Sequence, residues 1–355
     1  MENKKSFEAS RTLRRAISSS ARSTPFSNVL KNKRLNLDYI PRVLDKVACT
    51  ICGSGKYSVI YEADYSLEKD RDLAQKFRAS GDELLVDQLV KCKDCRLIFI
   101  NPRLKSSLVT KGYKEGSDEV FVSQALARER TFSKALKKIE KYIPNKGTVL
   151  DIGTAGGSFL AAAKKIGWKV SGCELNAWMV KWGNAHYGLN IKQGTVFEQH
   201  YSAESFDMVT LWDVIEHTPD PAKVVKECNR ILKHRGLLVI NYPDIGSWIA
   251  RLMGRKWLFL TSVHLYYFTR ETMRNLLERA GFDIFVIKPH IQQLEMGYLA
   301  KRMHLYSPFL SQCSMLGVNA LRLQHKQIPY WLGQTFLIAR KRASAARGQT
   351  EQMRE

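Results

Sequence analysis

Cys49-Thr-Ile-Cys52 and Cys92-Lys-Asp-Cys95 place four thiols in two Cys-x-x-Cys pairs. Thiolates at this spacing suit tetrahedral zinc, and a site closed by four cysteines would hold structure and take no part in chemistry. Gly53 after the first pair suits a tight knuckle turn, whereas Arg96 stands after the second. Disulfides and unrelated buried thiols are the alternatives. Cys173, Cys228 and Cys313 are scattered in apolar surroundings and read as core. A second set of groups comprises Asp151, Glu174 and the run Asp213-Val-Ile-Glu-His217, with His264 further on. Buried carboxylates can hold a cationic or hydroxylated ligand, and a histidine near them can take a proton.

The elements that must position these groups are legible as alternating strands and helices. Thr148-Val-Leu-Asp-Ile152 reads as a buried strand that breaks at Gly153, Gly156 and Gly157, and Phe159, Leu160 and the alanines at 161–163 open a helix. Such a glycine turn faces a nucleotide-like ligand with main chain and a helix amino end. Trp168 to Glu174 reads as a second strand ending in a carboxylate able to hold two ribose hydroxyls. Asn190 to Gln193, Phe206 to Trp212 and Gly236 to Asn241 follow as strands, with a helical stretch from Pro219 to Lys233. The alternation predicts a parallel sheet covered on both faces. Upstream, Leu126, Phe132, Leu136, Ile139 and Ile143 recur at helical spacing, and Arg270 to Gly281 forms a later helix. Phe282 to Ile287 and Thr335 to Ala339 supply the last two strands.

These motifs, Leu-Asp-Ile-Gly-Thr-Ala-Gly-Gly at 150–157, Gly-Cys-Glu at 172–174, Phe-Asp at 206–207, Asp-Val-Ile-Glu-His-Thr-Pro-Asp-Pro at 213–221 and Arg-Ile-Leu-Lys-His-Arg-Gly at 230–236, together resemble a class I S-adenosylmethionine-dependent methyltransferase. The resemblance covers about residues 125–290 and departs at Thr154-Ala155 and His234-Arg235. It implies an α/β fold: a doubly wound seven-stranded sheet, mostly parallel with the last strand antiparallel, and a small N-terminal zinc-binding domain. The four-cysteine pair ahead of it is similar to bacterial sugar C-methyltransferases. The implied cofactor site comprises Asp151 for the glycine turn and the methionine amino group, then Gly153, Thr154, Ala155 and Gly156. Glu174 and Leu175 would take the ribose side, Thr195 and Val196 the adenine, and main chain at Trp212 and Asp213 the methionine end. A dinucleotide reading requires Gly-x-Gly-x-x-Gly, and Ala155 and Ser158 stand in its later glycine places.

His217 and His264 are the candidate general bases, although His217 in Glu-His-Thr-Pro could equally brace a turn. Asp213-x-x-Glu216-His217 resembles the Glu-x-x-Glu-His of polyprenyl-hydroxyphenyl O-methylases, where Mg2+ or another divalent ion assists, with Asp in place of the first Glu. Tyr242 to Thr269 is an insertion rich in aromatic rings and carries His264-Leu-Tyr-Tyr-Phe268, expected to form a lid or plain packing at the carboxyl edge of the sheet. The acceptor is expected to be small or lipid-linked, a sugar, nucleotide sugar or hydroxylated ring, with O- or C-methylation both open. RNA or protein methylation, or a cofactor fold that binds without catalysis, are the alternatives. The base-flipping proline motif of many nucleic-acid methylases is missing after the fourth strand, where Asp213-Val-Ile-Glu216 stands.

The chain of 355 residues carries a net charge of +22, and 45% of it is hydrophobic, enough for a sizeable core. Much of the charge lies at the ends: residues 1–48 hold 11 Lys and Arg against 4 acids, and residues 289–355 hold 9 against 3. Such flanks suit an anionic membrane surface, an anionic sugar nucleotide or nucleic acid, and equally solvated tails. The expected organisation is a basic disordered lead at 1–48, a zinc module at 49–105, the methyltransferase domain at 106–290, a helical cap with the last strand at 291–341, and a basic tail at 342–355. Pro308 to Leu323 is apolar but too short, and too broken by Gln312 and Asn319, to span a bilayer. Seven cysteines without a secretory leader fit a reducing, cytoplasmic setting, peripheral to the membrane at most.

Overall fold

The computed structural model describes residues 43–64, 85–305 and 307–343. Most of the basic lead and of the basic tail lies outside the described residues. The chain begins with β1 (Leu44–Asp45), β2 (Tyr57–Tyr61), β3 (Leu89–Cys92), β4 (Ile98–Ile100) and β5 (Arg103–Leu104), then α1 (Ser106–Lys114), α2 (Glu119–Ser123) and α3 (Ala125–Ile139). The α/β unit follows as β6 (Thr148–Ile152), α4 (Ser158–Lys165), β7 (Lys169–Glu174), α5 (Ala177–Tyr187), β8 (Ile191–Gln193), β9 (Phe206–Trp212), α6 (Pro221–Ile231) and β10 (Leu232–Pro243). Next come α7 (Trp248–Met253), β11 (Tyr266–Tyr267), α8 (Arg270–Arg279), β12 (Phe282–Pro289) and β13 (Gln292–Glu295). The described chain ends with α9 (Met296–Arg302), α10 (Pro308–Ala320), β14 (Gln327–Tyr330) and β15 (Gln334–Lys341).

Seven strands form the central sheet in the order β12-β15-β10-β9-β6-β7-β8. β15 runs antiparallel to both neighbours, while β10, β9, β6, β7 and β8 pair in parallel. This is the doubly wound sheet with its antiparallel last strand. Helix ends obey local chemistry. The Asp220 side chain accepts from the Lys223 N–H at the start of α6, with Pro221 at the first helical position. Thr269 and Thr272 close a reciprocal capping box on α8.

Several expectations are corrected. β10 starts at Leu232, so the preceding helix stops at Ile231 and the strand is longer than its Gly236–Asn241 core. Leu126 is exposed near the start of α3, where Ala125 and Ala127 on either side of it take the buried face, while Leu136 and Ile139 are buried as the spacing predicted. Cys313 is exposed, unlike the buried Cys173 and Cys228.

The insertion between β10 and α8 is not a free lid. Its β11 pairs antiparallel with β4, completing a sheet in the order β11-β4-β3-β2. Main-chain bonds cross the expected boundary at residue 105, and a single apolar core runs through it, joining Cys49, Val90 and Phe99 to Leu211 and Ile240. Full burial of a side chain such as Phe99 stabilises by about 1.5–3 kcal/mol, so many such contacts fix the module to the sheet. No helix among the described residues is long and apolar enough to cross a membrane.

Candidate functional site

The glycine turn owes its shape to positive φ angles. Gly153 sits at φ 66°, where a Cβ would lie 2.7 Å from a Val214 methyl, and Gly157 caps α4 at φ 81°. Ala155 adopts φ 49° without being glycine, and its N–H donates to Glu174 Oε2 at 2.8 Å. The other Glu174 oxygen accepts from the Asn176 N–H at 2.9 Å. The carboxylate at the end of β7 thus fastens the turn at the end of β6. Burial raises Glu174 above the usual carboxylate range, and the main-chain donors only partly offset this. Asp151 is buried beside it, its Oδ1 accepting from Thr210 Oγ1 at 2.6 Å. Burial pushes its pKa up to about 7, against lowering hydrogen bonds from Thr210 and Thr154.

Asp213, directly after β9, holds φ 54° and accepts from Asn241 Nδ2 at 2.6 Å and from Gln292 Nε2 at 3.4 Å. Burial lifts it to about 6, and Arg128 pulls the other way. Both carboxyl oxygens of Glu216 are buried without a hydrogen-bond partner, although its main-chain carbonyl accepts from the Leu265 N–H. Burial and then Asp213 raise Glu216 well above its usual value.

His217 Nδ1 lies 2.7 Å from the Tyr113 hydroxyl and 3.0 Å from the Val263 carbonyl. His264 Nδ1 lies 2.7 Å from the Phe259 carbonyl. A carbonyl can only accept, so the His264 proton sits on Nδ1 and its Nε2 carries a lone pair. The two imidazole centroids are 4.6 Å apart, edge to face. Burial lowers His217 to about 4 and, together with His217, takes His264 well below its usual value. Both rings are therefore neutral bases near neutral pH.

One cavity of about 930 Å³ takes in all of these groups, at the upper end of the range of about 300–1,000 Å³ usual for small-molecule sites. Asp151, Gly153, Thr154, Ala155, Gly156, Glu174, Leu175, Thr195, Val196, Trp212 and Asp213 line it, as do His217 and His264. The sequence thus places every expected cofactor and base position on one wall system. It gives no hint of Tyr113, Arg128 or Gln292, which reach the cavity from α1, α3 and β13; the helical cap expected after residue 291 is α9 and α10, and Leu299 and Val318 on them, with Met303 and Leu321 just after them, line the cavity. The expected trio Asp213, Glu216 and His217 is not what the fold gathers. Asp213 turns to Asn241, and Glu216 instead lies with His217 and His264, their ligand atoms within 4.8 Å of one another.

In the cysteine module, Cys49 and Cys95 sulfurs lie 3.3 Å apart and Cys52 and Cys92 sulfurs 3.5 Å apart, all four within 4.8 Å. The seven cysteines are free thiols. Bonds of about 2.3 Å to one tetrahedral ion set sulfurs about 3.8 Å apart, so these four fit zinc closely. The two knuckles match: Gly53 at φ 74° and Arg96 at φ 66° each send an N–H back to the first cysteine of its pair. Arg96 carries the strain of on the order of 1 kcal/mol that a glycine there would avoid.

A sequence model of the methyltransferase domain family matches residues 125–285. The ubiquinone biosynthesis O-methyltransferase of Thiobacillus denitrificans is 36% identical over 118 residues, 31% of this chain and 51% of that protein. The protein of the same name from Coxiella burnetii is 27% identical over 132 residues, 35% of this chain and 56% of its own. The chain thus spans about half the length of the curated relatives it matches. An S-adenosylmethionine-dependent methyltransferase of known structure from Archaeoglobus fulgidus is similar with TM-score 0.44 and 20% identity, covering 63% of this chain and all of that one. By sequence, residues 125–285 are a methyltransferase domain.

Proposed function

We propose that this chain transfers the methyl group of S-adenosylmethionine to a hydroxyl oxygen of a small or lipid-linked acceptor, a sugar or a hydroxylated ring. The observation that carries this reading is the joining, in one cavity, of two buried carboxyls at a glycine turn with two neutral histidines. When bound, the cofactor would supply an electrophilic methyl on a sulfonium, whose carbon–sulfur bond would break in line to release a neutral thioether. Asp151 would face its ammonium group, Glu174 its ribose hydroxyls, Leu175, Thr195 and Val196 its adenine, and main chain at Gly153 to Gly156, Trp212 and Asp213 its remaining polar groups, all of them residues that line the cavity. His264 Nε2 takes the acceptor's hydroxyl proton as the oxygen attacks the methyl carbon. His217, held by Tyr113 and Val263, packs against His264 and keeps its ring in place. The carboxyl of Glu216, within 4.8 Å of both rings, is the partner for the imidazolium that forms.

In the same reading Cys49, Cys52, Cys92 and Cys95 hold a structural zinc ion. Mg2+ does not suit the histidine cluster, because it prefers oxygen ligands in octahedral geometry and two of the three groups there are imidazoles. The O-methyltransferase names of the relatives favour oxygen over carbon as the acceptor atom. A non-catalytic cofactor-binding protein would retain Asp151 and Glu174 and would have no use for the base pair.

The test is labelled-methyl transfer screened against nucleotide sugars, quinone precursors and RNA, beside calorimetric titration with S-adenosylmethionine. Label entering a hydroxylated small molecule or lipid supports the reading. Failure to bind the methyl donor would sink it.

A further inference from the structure

The helix α10 has its polarity inverted. Its inner side holds Ser311, Ser314 and Val318, with Ser311 Oγ donating to the Ala300 carbonyl of α9 and Ser314 Oγ to the Met303 sulfur. Its outer side carries Phe309, Cys313, Leu316 and Ala320 at steps of four, three and four, all exposed. Residues at that spacing form one stripe of a helix. A surface helix of a water-soluble protein places its serines outward and its phenylalanine and leucine inward, so this outer stripe is built for an apolar medium.

Charge identifies the medium. Residues 296–350 contain no Asp or Glu, and Lys301, Arg322 and Lys326 stand exposed beside α10. Residues 245–270 also lack acids and carry the exposed Arg251, Arg255 and Lys256 on and after α7. Among the described residues the five most exposed large apolar side chains are Trp248, Leu252, Phe309, Leu316 and Leu321, between 64% and 77% exposed. All five lie on α7 or on α10 and the residue after it. Trp248 packs 5.8 Å from Trp331, next to Leu332, which lines the cavity. Leu321 is both exposed and a cavity-lining residue, which puts the apolar surface at the cavity's rim.

We propose that the α9–α10 hairpin, with α7 beside it, lies flat on an anionic lipid bilayer and holds the cavity rim at the lipid surface. Exposed Trp, Phe and Leu flanked by Lys and Arg, with no acids, is the composition that enters a headgroup boundary. A helix of 13 residues is about 20 Å long and lies in the plane. Surface binding is independent of methyl transfer. Delivery of a lipid-linked acceptor through this rim rests on the proposed methyltransferase activity.

The experiment is flotation of the full chain with vesicles of phosphatidylglycerol and phosphatidylcholine, or of phosphatidylcholine alone, with no methyl donor present. The chain should float with the anionic vesicles, more weakly as salt rises. The double variant Phe309→Ser/Leu316→Ser, folded by circular dichroism, should bind at least about tenfold more weakly, since each fully buried apolar side chain exceeds that factor. Arg322→Glu/Lys326→Glu should weaken the salt-sensitive part. Absence of flotation overturns the proposal. So does vesicle binding unchanged by Phe309→Ser/Leu316→Ser, which would move the contact to the basic ends of the chain. A wild-type dimer that this double variant returns to monomer, without vesicle binding, would make the stripe a contact between copies and equally overturn it. Because no donor is used, these outcomes are separate from the presence or absence of methyl transfer.

Discussion

Binding of S-adenosylmethionine should expel a proton. Asp151 is buried and held at about 7 in the free protein, mainly by loss of hydration. An ammonium group placed against it favours the carboxylate, so the pKa falls on binding and the proton leaves. The sign follows directly: below about pH 7 part of the protein carries a proton that the ligand must displace, so affinity falls as pH falls. If only the ionised form binds, the apparent Kd scales with one plus the ratio of protonated to ionised Asp151. That makes it about twofold weaker at pH 7 and about tenfold weaker at pH 6 than at pH 8. Proton release should be about half an equivalent at pH 7 and approach one at pH 6.

The assay is isothermal titration at these three pH values in buffers of different ionisation enthalpy, which reads Kd and the proton count together. Asp151→Asn provides the control, because its amide oxygen can still accept from Thr210 Oγ1 and keep the strand end in place. This variant should bind about 10- to 150-fold more weakly at pH 8, the loss of one charge-assisted hydrogen bond of about 1.5–3 kcal/mol, and its affinity should no longer follow pH. A wild-type Kd that is flat from pH 6 to pH 8, or a slope that survives in Asp151→Asn, would refute the assignment of the ammonium to Asp151.

Glu174→Ala should weaken S-adenosylmethionine at least about tenfold in the same titration, with the chain still folded; an unchanged Kd would remove Glu174 from the ribose. His264→Asn should lower the transfer rate by about 10²–10⁴ while leaving donor affinity alone, and retention of the wild-type rate would dismiss it as the base. His217 should stay neutral across the range above its value of about 4 and His264 is also held well below its usual value, so a transfer rate at saturating methyl donor that falls on acidification already near pH 6.5 would contradict the burial of the pair. Cys92→Ser should lower the melting temperature and the bound zinc measured by atomic absorption, and full metal content in that variant would end the zinc reading.

The parts of the site that were legible in the sequence are those set by local main-chain demands. Gly153 and Gly157 declare a turn because few other residues tolerate their φ, and Glu174 is recognisable because β7 must end beside that turn. The cysteine pairs are legible for a related reason, since two ligands in one tight turn require a fixed spacing. Tyr113, Arg128 and Gln292 left no such trace. Each arrives from an element whose own periodicity is set by packing, and no spacing rule ties α1 or α3 to His217 or Asp213. The pairing of β11 with β4 was hidden too: it involves two residues on each side, Tyr266 with Phe99 and Tyr267 with Ile98. Leu126 and Cys313 misled because an apolar residue type reports preference for burial and says nothing of what covers the site in the fold.

That hidden pairing explains why the cysteine module belongs to the site. Around Glu216 and His217 the chain is clamped from two directions. Arg103 Nη2 and the Tyr266 hydroxyl both donate to the Pro219 carbonyl, and Thr50 Oγ1, between the first two cysteines, donates to Asp220 Oδ1. The Leu265 N–H donates to the Glu216 carbonyl, and the Leu265 carbonyl accepts from the Ile100 N–H in the module. His217 and His264 therefore keep their 4.6 Å separation through main chain that the module itself supports. Asp151 and Glu174, by contrast, stand on β6 and β7, which pair with each other and with β9 and β8 within the central sheet. Loosening the four thiols should then disturb the histidine half of the cavity first and leave the carboxyl half intact. A module that lines no part of the carboxyl half of the cavity still shapes the histidine half, because its hydrogen bonds hold the chain on which His217 and His264 stand.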